Sequence, residues 1–140
     1  MKCLCKHPQA ADFGLFMLRL TLGAVLIYAG WGKLGDMTMT TAMFIDMGIP
    51  LAALSAWVVA LVEFVGGIAL IAGIWVHTFA LLAAIVMLVA LLAVHLGGPF
   101  PEAFPALLIL GGALALHGTG AGKWKLGNMD CFCQAKKEKK

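Results

Sequence analysis

Residues 52–72 read AALSAWVVALVEFVGGIALIA, an apolar run interrupted by a single charged side chain, Glu63. At about 1.5 Å of rise per residue, a helix of this length spans roughly the 30 Å hydrocarbon core of a bilayer. The residues do not alternate as a barrel strand requires, and a helix satisfies its own backbone groups in lipid, so the run specifies a transmembrane helix. Working outward, three further runs have the same character, at about 13–31, 78–96 and 106–120. Pro50 and Pro105 precede or open the second and fourth runs, where a missing N–H is harmless. The expected fold is all-α, an integral membrane four-helix bundle filling residues 1–140 as one domain, with a short Cys-x-Cys tail at each end.

Composition agrees. Hydrophobic residues make up 62% of the 140 and charged residues 12%, with mean hydropathy +0.97, which excludes a water-soluble domain of this length. The net charge of +3 does not indicate nucleic acid, because the lysines cluster at the termini instead of forming a folded patch. Lys2, Lys6, Lys123, Lys125, Lys136, Lys137, Lys139 and Lys140 flank the first and last runs, against Lys33 alone in the opposite loops. That asymmetry predicts a multi-pass protein of the inner (cytoplasmic) membrane with both termini in the cytoplasm. Trp31 and Trp57 then fall near one surface and Trp75 and Trp124 near the other, as an aromatic belt does. The basic start and apolar first run resemble a signal peptide, but Arg19 interrupts the run and no small-x-small site closes it, so an uncleaved first span is expected.

Two charges fall within the spans. Arg19 is expected roughly 9 Å and Glu63 roughly 15 Å from the same surface, a difference an arginine side chain can bridge. An isolated charge at such depth costs at least about 2.5–3.5 kcal/mol, so the two are expected to face each other. Arg19, Gly23 and Gly30 form one stripe, and Ala56, Ala60, Glu63 and Gly67 another; small residues let such helices approach closely. The pair is either structural or a polar site able to hydrogen-bond a quinone carbonyl or relay a proton.

LRLTLGAVLIYAGWGKL, then VEFVGGIALIAG, then GTGAGKWKLGNMD resemble the DoxX family of small four-helix membrane proteins. The family pattern falls on Arg19, Gly23, Gly30, Lys33, Glu63, Gly66, Gly67 and Asp130, with Phe44, Gly48 and Pro50 ahead of the second span. The resemblance implies redox association: members resemble a subunit of thiosulfate:quinone oxidoreductase, partner thiol- or sulfur-handling enzymes, or assist periplasmic dehydrogenases. It also extends the candidate cofactor-binding set from Arg19 and Glu63 to Lys33 and Asp130. Where the family usually ends in Ser-Leu-Asp, this chain has the longer Gly-Asn-Met-Asp.

The paired Cys-x-Cys motifs are not part of that pattern. Cys3, Cys5, Cys131 and Cys133 are expected at one face, where four thiolates suit zinc, Cu(I) or an iron–sulfur cluster. Cys-x-Cys is tighter than the Cys-x-x-Cys usual for zinc. The same residues also read as a redox dithiol favoured by nearby lysines, or as unpaired or acylated thiols. In the segment MTMTTAMFIDMGIP, Met37, Met39, Met43 and Met47 are soft Cu(I) ligands or the apolar stripe of an interfacial helix. His77 and His117 can share a layer; they more often cap helix ends, and haem is not expected.

These residues describe a membrane component of a thiol- or sulfur-linked, quinone-coupled redox system that works with a soluble or membrane partner, with Arg19 and Glu63 at the reacting layer. Two alternatives stand: a soft-metal transporter, in which methionines receive copper on one side and cysteines take it on the other, and a structural assembly subunit. Glycine-lined helices would permit a homo-oligomer.

Overall fold

The computed structural model describes residues 8–94 and 103–124. Among the described residues the order is α1 (Pro8–Gly35), α2 (Met37–Asp46), α3 (Ala52–Ala72), α4 (Val76–Val94) and α5 (Phe104–Thr119). Each apolar run is a helix. α1 exceeds the expected first span at both ends, and α3 coincides with the second. α1, α3 and α4 are long and apolar enough to cross a bilayer, while α5 is a shorter apolar helix of 16 residues, or about 24 Å. Together they form a membrane helical bundle.

The bundle's sides reverse the pattern of a soluble protein. Leu54, Leu61 and Ile68 of α3 and Leu81, Ile85, Leu88 and Leu92 of α4 face outward, where lipid receives them. The inside is lined largely by small residues, including Ala56, Ala60, Ala80, Ala83, Ala84 and Ala113, around Leu26, Leu70, Val76 and Leu116. Little hydrophobic drive exists between helices in lipid, so close packing of small residues holds them together.

α1 packs most extensively on α3, and α4 on α5. α1 and α3 run antiparallel with their backbones nearly touching. A Cβ on Gly67 would lie 2.6 Å from the Gly23 carbonyl oxygen and 2.9 Å from the Ile27 nitrogen. Neither backbone atom can move alone, so Gly67→Ala must push the helices apart. A loss of about 1–3 kcal/mol in unfolding titrations in mild detergent is expected, against less than ~1 kcal/mol for Gly111→Ala, whose added Cβ would meet nothing within 4 Å. Equal losses at the two sites would contradict the close α1–α3 contact.

The connections follow local chemistry. Asp36 caps α2, its Oδ1 accepting from the Met39 N–H at 2.9 Å. α3 ends at Gly73 in the left-handed region (φ 76°), where the Ile74 N–H donates to Ala69 O at 3.0 Å and the Gly73 N–H to Leu70 O at 3.2 Å. Trp31 and Trp57 lie at one end of the antiparallel α1–α3 pair, Trp75 at the other, and all three are exposed.

Candidate functional site

Arg19 is 1% exposed, and its guanidinium is surrounded by main-chain oxygens. Nε donates to Leu70 O at 2.9 Å and Nη2 to Ile71 O at 3.1 Å, both in the last turn of α3. Nη1 donates to Ala121 O at 2.6 Å and Trp124 O at 2.7 Å, in the segment after α5. A helix leaves its last carbonyls without intrahelical partners and carries partial negative charge there, so a cation is favoured on both counts. Arg19 thus ties together α1, the end of α3 and the end of the bundle's last helix.

Glu63 pairs instead with Lys33, whose Nζ donates to its Oε2. The expected Arg19–Glu63 contact is overturned, and helix geometry gives the reason. Side chains on a helix lean toward its N-terminus, so Arg19 leans toward the start of α1 and away from the level of Glu63. It meets α3 at Ile71, eight residues and about 12 Å from Glu63. Lys33 leans back from the far end of α1, while Glu63 leans toward the start of α3. Because the helices are antiparallel, those two directions converge. The Glu63 side chain is 3% exposed and that of Lys33 27%, so the carboxylate is enclosed and the ammonium reaches outward.

It reaches a cavity of about 510 Å³ between the end of α1 and α2, with Tyr28, Trp31, Lys33, Asp36, Met39 and Met43 in its lining. Thr40 joins these elements. Its buried hydroxyl donates to Asp36 O at 2.9 Å and Lys33 O at 3.3 Å, fixing α2 over the pair. Sequence reading missed Thr40, which nothing in the sequence separates from Thr38 and Thr41 of the same short helix; its spacing of seven from Lys33 was the available signal. Trp31 packs obliquely on Phe64 with ring centroids 5.9 Å apart and supplies an aromatic wall. The arrangement presents an ammonium, backed by an enclosed carboxylate, to a largely apolar space. It can hydrogen-bond an oxygen acceptor and move a proton.

The remaining candidates separate. Met39 and Met43 are exposed on α2 and line the cavity; Met37 and Met47 are half-buried. His77 and His117 do share a layer, where each ring's Nδ1 meets the other residue's carbonyl oxygen, at 2.6 and 3.0 Å, and the rings stand edge to face at 5.8 Å. That contact links the start of α4 to the end of α5. Cys3, Cys5, Cys131, Cys133, Asp130 and His95 lie outside the described residues. Among the described residues no group of three or more His, Cys, Asp or Glu side chains could hold a metal.

Arg19, Lys33 and Glu63 all fall inside residues 14–96, which match the DoxX family model. The chain belongs to the DoxX family. It is 31% identical over 121 residues to "Inner membrane protein YqjF" of Escherichia coli (strain K12), covering 82% of this chain and 90% of that protein. It is 30% identical over 114 residues to "Putative oxidoreductase CatD" of Bacillus subtilis (strain 168), covering 79% and 84%. No solved structure matches it. This DoxX protein is therefore a multi-pass membrane protein whose family-matched segment contains both buried charges and the cavity.

Proposed function

We propose that this DoxX protein is the inner-membrane component of a thiol- or sulfur-linked redox system, with its termini in the cytoplasm, and that the Lys33–Glu63 pair receives a quinone head group. The observation that carries this reading is an ion pair enclosed on its carboxylate side and open to an aromatic-walled cavity on its ammonium side. Membership of the family, one relative named as an oxidoreductase and one named as an inner membrane protein support it.

A bound quinone would accept two electrons and two protons, the electrons coming from a partner thiol or sulfide. The chain's own residues supply binding and proton handling. Lys33 donates a hydrogen bond from Nζ to a carbonyl oxygen, Glu63 holds Lys33 in place and exchanges its proton, and Trp31 offers a flat wall against a ring. Arg19 is a positioning residue here, holding the opposite end of α1 while Lys33 works at the cavity.

A short-chain ubiquinone analogue should quench Trp31 emission in folded protein whose other tryptophans, Trp57, Trp75 and Trp124, are replaced by phenylalanine. Lys33→Met and Glu63→Gln should each weaken that binding about 10–100-fold, the loss expected for one hydrogen bond to a charged group. Unchanged quenching in both variants, at unchanged helix content, would overturn the reading.

A further inference from the structure

Tyr28 lines the same cavity as Lys33, yet its side chain is 83% exposed and its hydroxyl has no hydrogen-bond partner among the described residues. Its depth makes that exposure unusual. A Cβ on Gly30 would lie 2.6 Å from the Phe64 nitrogen, and one on Gly67 would meet Gly23 and Ile27. Tyr28 stands between those contacts. It is therefore level with α3 residues 64–67, about one turn from the midpoint of Ala52–Ala72. α3 is long and apolar enough to cross the bilayer, so the surroundings of Tyr28 at this level are acyl chains, not water. A hydroxyl left without a partner in hydrocarbon is costly, and polar groups kept at such depth mark sites.

The rest of the lining shows which way the cavity opens. Trp31 and Met39 are exposed at the same mouth. Asp36, which caps α2, lies eight residues beyond Tyr28, or about 12 Å nearer the surface. The mouth thus runs from a carboxylate near the headgroups to a phenol near the bilayer middle. Tyr28 and Lys33 are five residues apart, about 7.5 Å along α1, and both side chains end in hydrogen-bond donors. Two donors so placed suit a ring that carries oxygens on opposite edges, as a para-quinone does. An apolar tail on that ring would leave through the mouth past Val25, which is exposed on α1 one turn deeper.

We propose that the cavity opens sideways into the hydrocarbon, that it takes a long-tailed quinone dissolved in the bilayer and not a water-borne acceptor, and that Tyr28 donates the second hydrogen bond to the head group, opposite Lys33. The proposal rests on the quinone reading of Lys33 and Glu63 and adds to it the route of entry and the second donor. Tyr28 exchanges no electron. Its hydroxyl donates to a carbonyl oxygen and stays a phenol.

The test uses the full chain with Trp31 as its one tryptophan, in phosphatidylcholine vesicles. Phosphatidylcholine brominated along the acyl chain should quench Trp31 strongly and aqueous iodide weakly. The reverse pattern would open the cavity to water and overturn the proposal whether or not a quinone binds. With decylubiquinone as the probe, Tyr28→Phe should raise the half-quenching concentration about 3–10-fold at unchanged helix content, the loss of one neutral hydrogen bond. Ubiquinone-0, which lacks the tail, should bind at least ~10-fold more weakly at equal total concentration. Equal binding by the two probes would make the acceptor water-borne. If Lys33→Met and Glu63→Gln weaken binding while Tyr28→Phe does not, the quinone reading stands and the role of Tyr28 falls. If the parent protein binds neither probe, both readings fall together.

Discussion

Replacing Arg19 by methionine is expected to destabilise the bundle by about 2–6 kcal/mol, since at least two main-chain oxygens lose a charged donor at about 1–3 kcal/mol each. Leu70 O keeps the Gly73 N–H, so the heaviest losses fall on Ile71 O and on the carbonyls of Ala121 and Trp124. Methionine preserves much of the buried volume, which isolates the effect of the guanidinium. Arg19→Lys should recover less than half of the loss, because one ammonium cannot present the planar fork that reaches two α3 carbonyls and two carbonyls after α5 at once. A second readout separates this from general loosening: trypsin should cut the Lys123–Trp124 bond faster in Arg19→Met under conditions where α1, α3 and α4 stay folded. A loss under ~1 kcal/mol with unchanged cleavage would mean that the guanidinium does not hold the end of the bundle.

The helices were legible because continuous apolar runs report membrane spans directly, and α3 coincides with its expected span. The stripes were legible too: Arg19, Gly23 and Gly30 on α1, and Ala56, Ala60, Glu63 and Gly67 on α3, are all buried. What the stripes could not give was the pairing along them. Depth counted from the helix ends placed Arg19 and Glu63 within a side chain's length of each other, but it left out the direction in which helical side chains lean. That lean carries Arg19 to the α3 carbonyls and brings Lys33 to Glu63, although Lys33 was visible only as a motif residue. The acceptors of Arg19 are main-chain atoms, which have no sequence signature. The cavity was hidden for a related reason, since it depends on Thr40 folding α2 back over the end of α1.

Lys33→Met should destabilise the protein by about 3–5 kcal/mol, because it strands a carboxylate whose side chain is 3% exposed. Glu63→Gln should cost less, about 1–2 kcal/mol, since the ammonium it leaves is 27% exposed and can turn into the cavity. If both residues become methionine, stability should return to within ~1 kcal/mol of the parent, as it often does when a buried ion pair is replaced by apolar groups of similar size. The order of these values distinguishes the pair's two roles. A double variant as unstable as the sum of the single ones would mean no coupling energy between Lys33 and Glu63, each side chain holding the fold independently of the other. A double variant that is stable yet no longer binds the quinone analogue would show that the fold does not need the pair. In that case the ion pair is retained for what enters the cavity, because an apolar substitute would hold α1 against α3 equally well.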